Sequence, residues 1–276
     1  MPRSTRPPAG SGTLYPALPA RLRADIRAYL DAAPAAPRPA TGVMVPHGPL
    51  ISAGTVLGAG FGAVRVPPVC IILGPNHSTR ARAPQGGSLL VDAAYRTPLG
   101  DVMPDDALAA ELRDRSGGLL AEDPVAHDEE LAIEMVLPFL QVRRPDVRIV
   151  PILLSWSEWE PVQRLASVIA GAIAERDDVL LVASSDINHY ESEAVTADKA
   201  ALALDRIVAT DPEGLLTVTA EHRISMCGRA AVACVLEVAR LRGKHVGEVV
   251  GYAHSGVASG ATDEVTGFAA ALIGLA

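Results

Sequence analysis

The sequence predicts an α/β protein, a single three-layer αβα domain whose central sheet is mostly parallel or mixed. Two observations support this fold class. Short, strongly apolar strand segments alternate with helical segments along most of the chain, and apolar strands of this kind are typical of sheets that helices cover on both faces. No stretch resembles an interdomain linker, so residues 1–276 are assigned to one domain.

The first elements follow this alternation. Residues 1–16 are polar and rich in proline and are expected to form an irregular lead-in. Apolar residues at helical spacing predict a helix over 17–33, and TGVMVP predicts a short strand that ends at His47. Small apolar residues over 51–64 predict a tightly packed helix, and VCIIL at 69–73 predicts a buried strand.

The second half of the chain repeats the pattern with longer helices. Each helical segment places apolar residues on one face, and each strand segment is a short apolar run. The predicted helices are 130–141, 160–176, 197–210 and 228–243. The predicted strands are 147–155, 179–184, 247–254 and 266–274.

The composition argues against nucleic acid and membranes as partners. The net charge is -8, from 24 basic and 32 acidic residues, and aromatic residues make up only 4% of the chain. No apolar run approaches the roughly 18–20 residues of a membrane span. The amino terminus lacks the apolar segment of a signal peptide, and the cysteines number three. A cytoplasmic location is therefore expected.

Well-known nucleotide and hydrolase motifs do not explain the chain. GAGFGA at 58–63 matches G-x-G-x-x-A, but it lies within a helical segment and precedes a strand. A dinucleotide fingerprint instead follows a strand and opens a helix. The chain contains neither G-x-S-x-G nor G-x-x-x-x-G-K-[ST], which argues against α/β-hydrolase and P-loop chemistry.

Polar residues follow three of the predicted strands. His47 follows GVMVP, His77 follows VCIILGPN, and both Asp186 and His189 follow VLLVASS. In open α/β sheets, ligands bind beyond the carboxyl ends of the strands. One histidine at a strand end is usually a surface residue, but three strand ends with the same change of character predict a shared site.

Cys227 is a further candidate because it lies where a helix begins, in MCGRAAV. A helix amino terminus lowers the pKa of a thiol and favours the thiolate, which is the form that binds metals. The alternative is a buried, small apolar residue, the usual role of a free cysteine. That alternative suits Cys70 and Cys234, which lie inside apolar runs, better than it suits Cys227.

Six segments together resemble the Memo family, whose prokaryotic members are called AmmeMemoRadiSam system protein B. They are GVMVPHG, ILGPNH, ELAIEMVLPFLQ, VASSDINHY, MCGRAAV and YAHSGVASG, and the likeness runs from residue 9 to the end of the chain. The resemblance implies a fold similar to class III extradiol dioxygenases, which use mononuclear non-haem Fe(II). It also implies that His47, His77 and Cys227 bind one metal ion, with Asp186 and His189 at the same pocket.

The chain departs from the family pattern beside this pocket. Where the family usually has Glu-His-Ser, the chain has Glu130, Leu131 and Ala132. The acid is kept, but a histidine is missing, which would suit a protein that has lost the activity or uses another substrate. A threonine that is common in the last motif is replaced by His254.

These residues predict a mononuclear metal protein. Two imidazoles and one anionic ligand suit Fe(II), and a thiolate also makes copper or zinc plausible. His189 is the best candidate for general acid–base work, because an unperturbed imidazole has a pKa of about 6.5. Asp186 and Glu130 complete the candidate catalytic set.

Two functions remain open, and a third is weaker. The first is an iron or copper oxidoreductase that acts on a small molecule, for which an aromatic compound is one candidate. The second is a non-catalytic accessory protein that binds metal or a peptide. The family resemblance implies a radical SAM protein and an AMMECR1-like protein as its partners. The third is a zinc hydrolase, which the same ligands would permit.

Overall fold

The computed structural model describes residues 4–33, 36–78 and 86–275. Its strands are β1 (Ser4–Arg6), β2 (Gly42–Val45), β3 (Val69–Pro75), β4 (Gly87–Leu89), β5 (Ala93–Thr97), β6 (Gly100–Pro104), β7 (Leu120–Glu122), β8 (Arg148–Leu154), β9 (Val179–Ser184), β10 (Asn188–Glu191), β11 (Gly247–His254) and β12 (Val265–Ile273). Its helices are α1 (Pro19–Asp31), α2 (Leu50–Ala63), α3 (Asp106–Arg115), α4 (Pro124–His127), α5 (Leu131–Glu134), α6 (Leu137–Arg143), α7 (Trp159–Ala172), α8 (Glu193–Val208), α9 (Pro212–Glu221), α10 (Arg229–Leu241) and α11 (Gly256–Ser259).

These strands form one mixed sheet. The order of neighbours is β1-β5-β6-β8-β3-β9-β2-β12-β10, with β11 beside β12, and with β4 beside both β7 and β8. The centre of the sheet, β8-β3-β9-β2, is parallel. Strand β12 runs antiparallel to β2, β10 and β11. The predicted α/β class with a mostly parallel or mixed sheet is confirmed.

Helices cover both faces of the sheet, which gives three layers. Side chains alternate along β3, so that Ile71 and Leu73 belong to one apolar core while Cys70 and Ile72 belong to the other. The first core packs against α3 and α7 to α10, and the second packs against α1, α2 and α6. None of the helices in the described ranges combines the length and apolar character that crossing a membrane requires.

The prediction of one continuous helix over 130–141 is wrong, because this segment forms two shorter helices, α5 and α6. Pro138 lies in the first turn of α6. Proline has no backbone N–H, so a continuous helix would lose the hydrogen bond from residue 138 to the carbonyl of Glu134. The chain instead bends at Met135 and Val136, and the second helix starts anew.

The prediction that residues 1–16 form an irregular lead-in is wrong for Ser4–Arg6, which form strand β1. Residues 1–3 lie outside the described ranges. Strand β1 extends the sheet by pairing in parallel with β5. The Arg6 side chain forms a buried ion pair with Glu134. Its other nitrogens donate to the backbone carbonyl oxygens of His127 (2.9 Å) and Glu130 (2.8 Å). An arginine in the lead-in therefore adds to the attachment of this segment that the pairing of β1 with β5 provides.

Candidate metal centre

The polar residues that follow the strands meet at one edge of the sheet. Strands β3, β9 and β2 are parallel neighbours, so the residues after them emerge side by side. Donor atoms of His47, His77 and Cys227 all lie within 4.8 Å of one another. The donor atoms of Asp186, His189 and Cys227 form a second group, also within 4.8 Å of one another. Cys227 belongs to both groups. The structure thus brings together the residues that the strand ends predicted.

A serine at the end of β9 orients the His47 ring. The Ser184 hydroxyl donates its only proton to the carbonyl oxygen of Ala132 (2.6 Å). The His47 Nδ1 atom lies 2.9 Å from the same hydroxyl oxygen, so Nδ1 carries the proton and donates. The lone pair of the ring is therefore on Nε2. Burial lowers the pKa of His47, which favours the neutral imidazole that metals require.

Glu130 orients the His77 ring in a similar way. Its carboxylate accepts the backbone N–H of His77 (2.6 Å) and faces the ring Nδ1 at 3.1 Å. A ring proton on Nδ1 leaves the Nε2 lone pair free, as in the carboxylate–histidine pairs behind many metal ions. Burial would raise the pKa of Glu130, but hydrogen bonds from His77 and Ala132 bring it below its ordinary value. The hydrogen bond to Glu130 raises the pKa of His77.

A glycine in β3 permits this arrangement. A Cβ atom on Gly74 would lie 2.9 Å from the Cβ of Ala132, closer than packed carbon atoms tolerate. The absence of a side chain at Gly74 lets the start of α5 lie directly on the sheet. Glu130, the residue before α5, accepts the Ala132 N–H (2.9 Å) as its cap. The same carboxylate thus caps the helix and reaches His77.

Cys227 occupies the position between the two groups. Its Sγ lies 3.5 Å from His47 Nε2 and accepts the backbone N–H of Asp186 at 3.3 Å. The predicted lowering of the Cys227 pKa is wrong, because burial and the Asp186 charge raise it to about 12. The helix cap of α10 is Gly228, so the cysteine lies just outside the first turn. Without an ion the side chain is a thiol, and a bound cation would have to displace its proton.

The donor set fits a transition metal. A tetrahedral ion with metal–sulfur bonds of about 2.3 Å and metal–nitrogen bonds of about 2.0 Å holds sulfur and nitrogen roughly 3.5 Å apart. The 3.5 Å between Cys227 Sγ and His47 Nε2 matches this spacing. Both histidines present Nε2 with a free lone pair, and the rings of His47 and His77 meet edge to face with centroids 5.7 Å apart.

Asp186 and His189 lie beside these donors. Asp186 Oδ1 accepts the backbone N–H of His47 (3.0 Å), and Oδ2 lies 3.7 Å from His189 Nε2. His189 Nδ1 donates to the carbonyl oxygen of Ser225 (2.8 Å), which directs Nε2 toward the acid. The interaction with Asp186 raises the pKa of His189. Burial would raise the pKa of Asp186, but the charge of His47 and bonds from both histidines lower it.

A cavity of about 480 Å³ opens onto the centre from the side of the lead-in. Leu131 lines this cavity together with Leu14. Its wall is completed by His47, Pro49, His77, Ser78, Glu129 and Glu130. His254 lies elsewhere, with its Nε2 3.3 Å from the Glu193 carboxylate, and it is outside both donor groups of the described residues.

Two residues that support the site, Ser184 and Arg6, were not predicted from the sequence. Ser184 determines which nitrogen of His47 carries the proton. Arg6 lies 124 residues before Glu130 in the chain, and its guanidinium donates a hydrogen bond to the Glu130 carbonyl oxygen. The two serines that end VLLVASS follow an apolar strand, and this position could have indicated Ser184. No local pattern could have identified Arg6, because its partners become neighbours only after folding.

Replacing Glu130 with glutamine is expected to weaken metal binding by about 10–100-fold. The amide nitrogen of the introduced glutamine would donate to His77 Nδ1, which would move the ring proton to Nε2 and block the ligand atom. An anaerobic metal titration measures the effect. Glu175→Gln, the same change at an exposed residue before β9, at the end of that strand away from the site, is the matched control and should bind metal as the unmodified protein does. Equal affinities in both variants would contradict the orienting role.

The chain is similar to known proteins over most of its length. The family model described as Memo-like protein matches residues 6–272. The chain is 32% identical over 279 residues to a MEMO1 family protein, MK0963, of Methanopyrus kandleri, which covers 96% of this chain and 97% of that one. It is 36% identical over 235 residues to a MEMO1 family protein of Thermotoga maritima, covering 84% and 82%. The crystal structure of uncharacterized protein JW3007 from Escherichia coli K12 shares the fold, with a TM-score of 0.50 at 17% identity, covering 84% of this chain and 99% of that one.

Proposed function

The chain belongs to the Memo-like protein family, and we propose that it is a mononuclear metal protein that acts as an oxidoreductase on a small molecule. The observation that carries this proposal is the convergence of His47 Nε2 and Cys227 Sγ at 3.5 Å beside the His77 ring. Each of the three donors comes from a different segment, and other residues hold both imidazoles with Nε2 free.

Fe(II) is the first choice for the ion. Two imidazoles and one anionic ligand that leave open positions are typical of non-haem iron sites that react with oxygen. The sulfur ligand also suits copper or zinc, so these metals are the alternatives. When bound, iron or copper would supply the capacity to exchange electrons with oxygen and a substrate. Three protein ligands would leave coordination positions of a bound ion free for a substrate molecule.

We assign proton transfer to His189 and Asp186. Nε2 of His189 faces the Asp186 carboxylate at 3.7 Å, and Nδ1 is held by the Ser225 carbonyl. The side chain of His189 is 20% exposed, so solvent reaches part of the ring. Glu130 is 2% exposed and its oxygens are taken up by His77 and Ala132. We therefore assign Glu130 to positioning His77 rather than to direct contact with the substrate.

An accessory role is the second candidate, and Leu131 is the observation that favours it. Together with Leu14, this side chain makes one wall of the cavity apolar where the family usually has a histidine. A cavity without that proton carrier would suit binding of metal or a peptide without turnover. In this case the partners would be a radical SAM protein and an AMMECR1-like protein, and the cytoplasm would be the site of action.

Metal analysis of the protein, purified anaerobically without an affinity tag, tests the proposal. About one iron or copper per chain is expected, followed by oxygen uptake in the presence of catechol-type compounds. Zinc at one equivalent with no oxygen uptake would support the hydrolase or accessory role instead. A protein that neither contains metal nor takes it up on titration would contradict the metal centre itself.

A further inference from the structure

A second cleft adjoins the metal centre on the side of Cys227. Its volume is about 390 Å³, and both His77 and Cys227 line it, so a molecule in the cleft would touch two of the proposed ligands. Its apolar surface comes from Leu154 and Met226, which are buried, and from Trp156, which is partly buried. Pockets of this size and mixed character hold small organic ligands.

Arg229 brings a positive charge to this cleft. It is the first residue of α10 and lines the same cleft, two positions after Cys227. Its guanidinium has no hydrogen bond or ion pair with any residue of the described ranges. Several other partly exposed arginines of the fold are paired, such as Arg176 with Asp178 and Arg240 with Glu237. The unpaired guanidinium therefore has all its donors available to a ligand.

Glu158 is the acid whose charge is coupled to Arg229, and this coupling is weak. Glu158 is exposed, and hydrogen bonds from the Ser157 backbone and from its own backbone are the main causes that lower its pKa. Among the causes that lower the pKa of Glu158, the charge of Arg229 is the smallest. Glu158 therefore does not neutralise Arg229. Glu130 and Asp186 contact the cleft residues His77 and Cys227, but their carboxylates accept hydrogen bonds from His77 and His47. Neither acid forms an ion pair with Arg229 among the described residues, so the guanidinium can still pair with an anion that enters the cleft.

We propose that this cleft is the substrate's anion subsite and that it takes a planar aromatic carboxylate. The carboxylate would pair with the guanidinium of Arg229 while the ring lies against Trp156 and Met226, next to His77 and Cys227. A single planar guanidinium matches the two oxygens of a carboxylate, and the apolar wall matches an aromatic ring. The inference deepens the proposed function, on which it rests for the role of the adjacent metal.

Binding of benzoate and of its neutral analogue benzamide tests the subsite. Ligand-observed NMR titrations would use both the metal-free and the zinc-loaded protein, with zinc content measured on the same samples. We expect benzoate to bind about 10-fold or more tightly than benzamide, the advantage of a charge-assisted pair. Arg229→Gln should abolish this preference without changing zinc stoichiometry, and Arg229→Lys, which keeps the charge but not the fork, should retain part of it.

Arg65→Gln is the matched control, because Arg65 is exposed and lies before β3, at the opposite end of the strand from His77. This variant should keep the full preference for benzoate. An unchanged preference in Arg229→Gln, an equal affinity of the unmodified protein for benzoate and benzamide, or displacement of benzoate by inorganic phosphate at equal concentration would each overturn the carboxylate subsite. A preference that depends on Arg229 in a protein that binds no zinc would support the subsite and contradict the proposed metal function.

Discussion

Cys227→Ala and His47→Ala are expected to lose most of the bound metal while the chain stays folded. Each substitution removes a donor atom from the group that meets within 4.8 Å. Removal of a residue that orients a metal ligand weakens metal binding by roughly 10–100-fold. Removal of the ligand itself should weaken metal binding by more than this. Anaerobic titration with Fe(II) and zinc measures affinity, and circular dichroism with thermal unfolding checks the fold of the metal-free variants.

Two control substitutions match the chemical change without touching the site. Cys234→Ala removes a buried thiol from α10, and His245→Ala removes an exposed imidazole. Both should bind about one metal ion per chain. Full metal content in Cys227→Ala and His47→Ala would refute the proposed centre. Metal retained in His47→Ala but lost in Asp186→Ala would instead place the ion in the second group, with Asp186, His189 and Cys227.

Glu134→Gln is expected to lower the free energy of unfolding by about 3–5 kcal/mol, the cost of breaking a buried ion pair by removing one charge. The Glu134 side chain is fully buried and pairs with Arg6. It also accepts hydrogen bonds from the Tyr15 hydroxyl and from the backbone N–H groups of Ala9 (2.8 Å) and Gly10 (2.9 Å). The amide nitrogen of a glutamine is a donor, and it would face groups that are themselves donors. The buried guanidinium of Arg6 would also lose the negative charge with which it pairs.

Urea unfolding of the metal-free protein measures this loss. Glu111→Gln is the control, because Glu111 forms an exposed pair with Arg115 at 3.0 Å, one turn apart on α3. Exposed pairs of this kind contribute only about 0.3–0.5 kcal/mol. Hydrogen exchange should show that residues 4–15 lose protection first in Glu134→Gln. A loss of stability no larger than that of Glu111→Gln would show that the lead-in does not depend on this carboxylate.

The donor residues were predictable because their signals are local. An apolar strand that changes abruptly to histidine or aspartate identifies His47, His77, Asp186 and His189. Parallel strands then bring these residues to one edge. The protonation of Cys227 could not be predicted this way, because proximity to a helix start favours thiolate while burial opposes it. Burial depends on what packs around the residue, and the local sequence does not contain that information.

The elements between β3 and α5 were not predictable from the sequence either. Strands β4 and β7 have three residues each, too few to establish a period of two. Strand β6 alternates exposed and buried positions and contains polar residues. Pairing with neighbours, rather than their own composition, makes these segments strands.

The sequence by itself determined the α/β class, the family and the residues that could bind a metal, because apolar periodicity and residue type are properties of short segments. The tertiary structure alone decided which nitrogen of each histidine is free, which acid orients His77, and why the lead-in is anchored. It also decided that Arg229 lies unpaired beside His77 and Cys227 among the described residues. These features join segments that are distant in the chain, and their hydrogen bonds and burial exist only once the sheet and its two helical layers have packed.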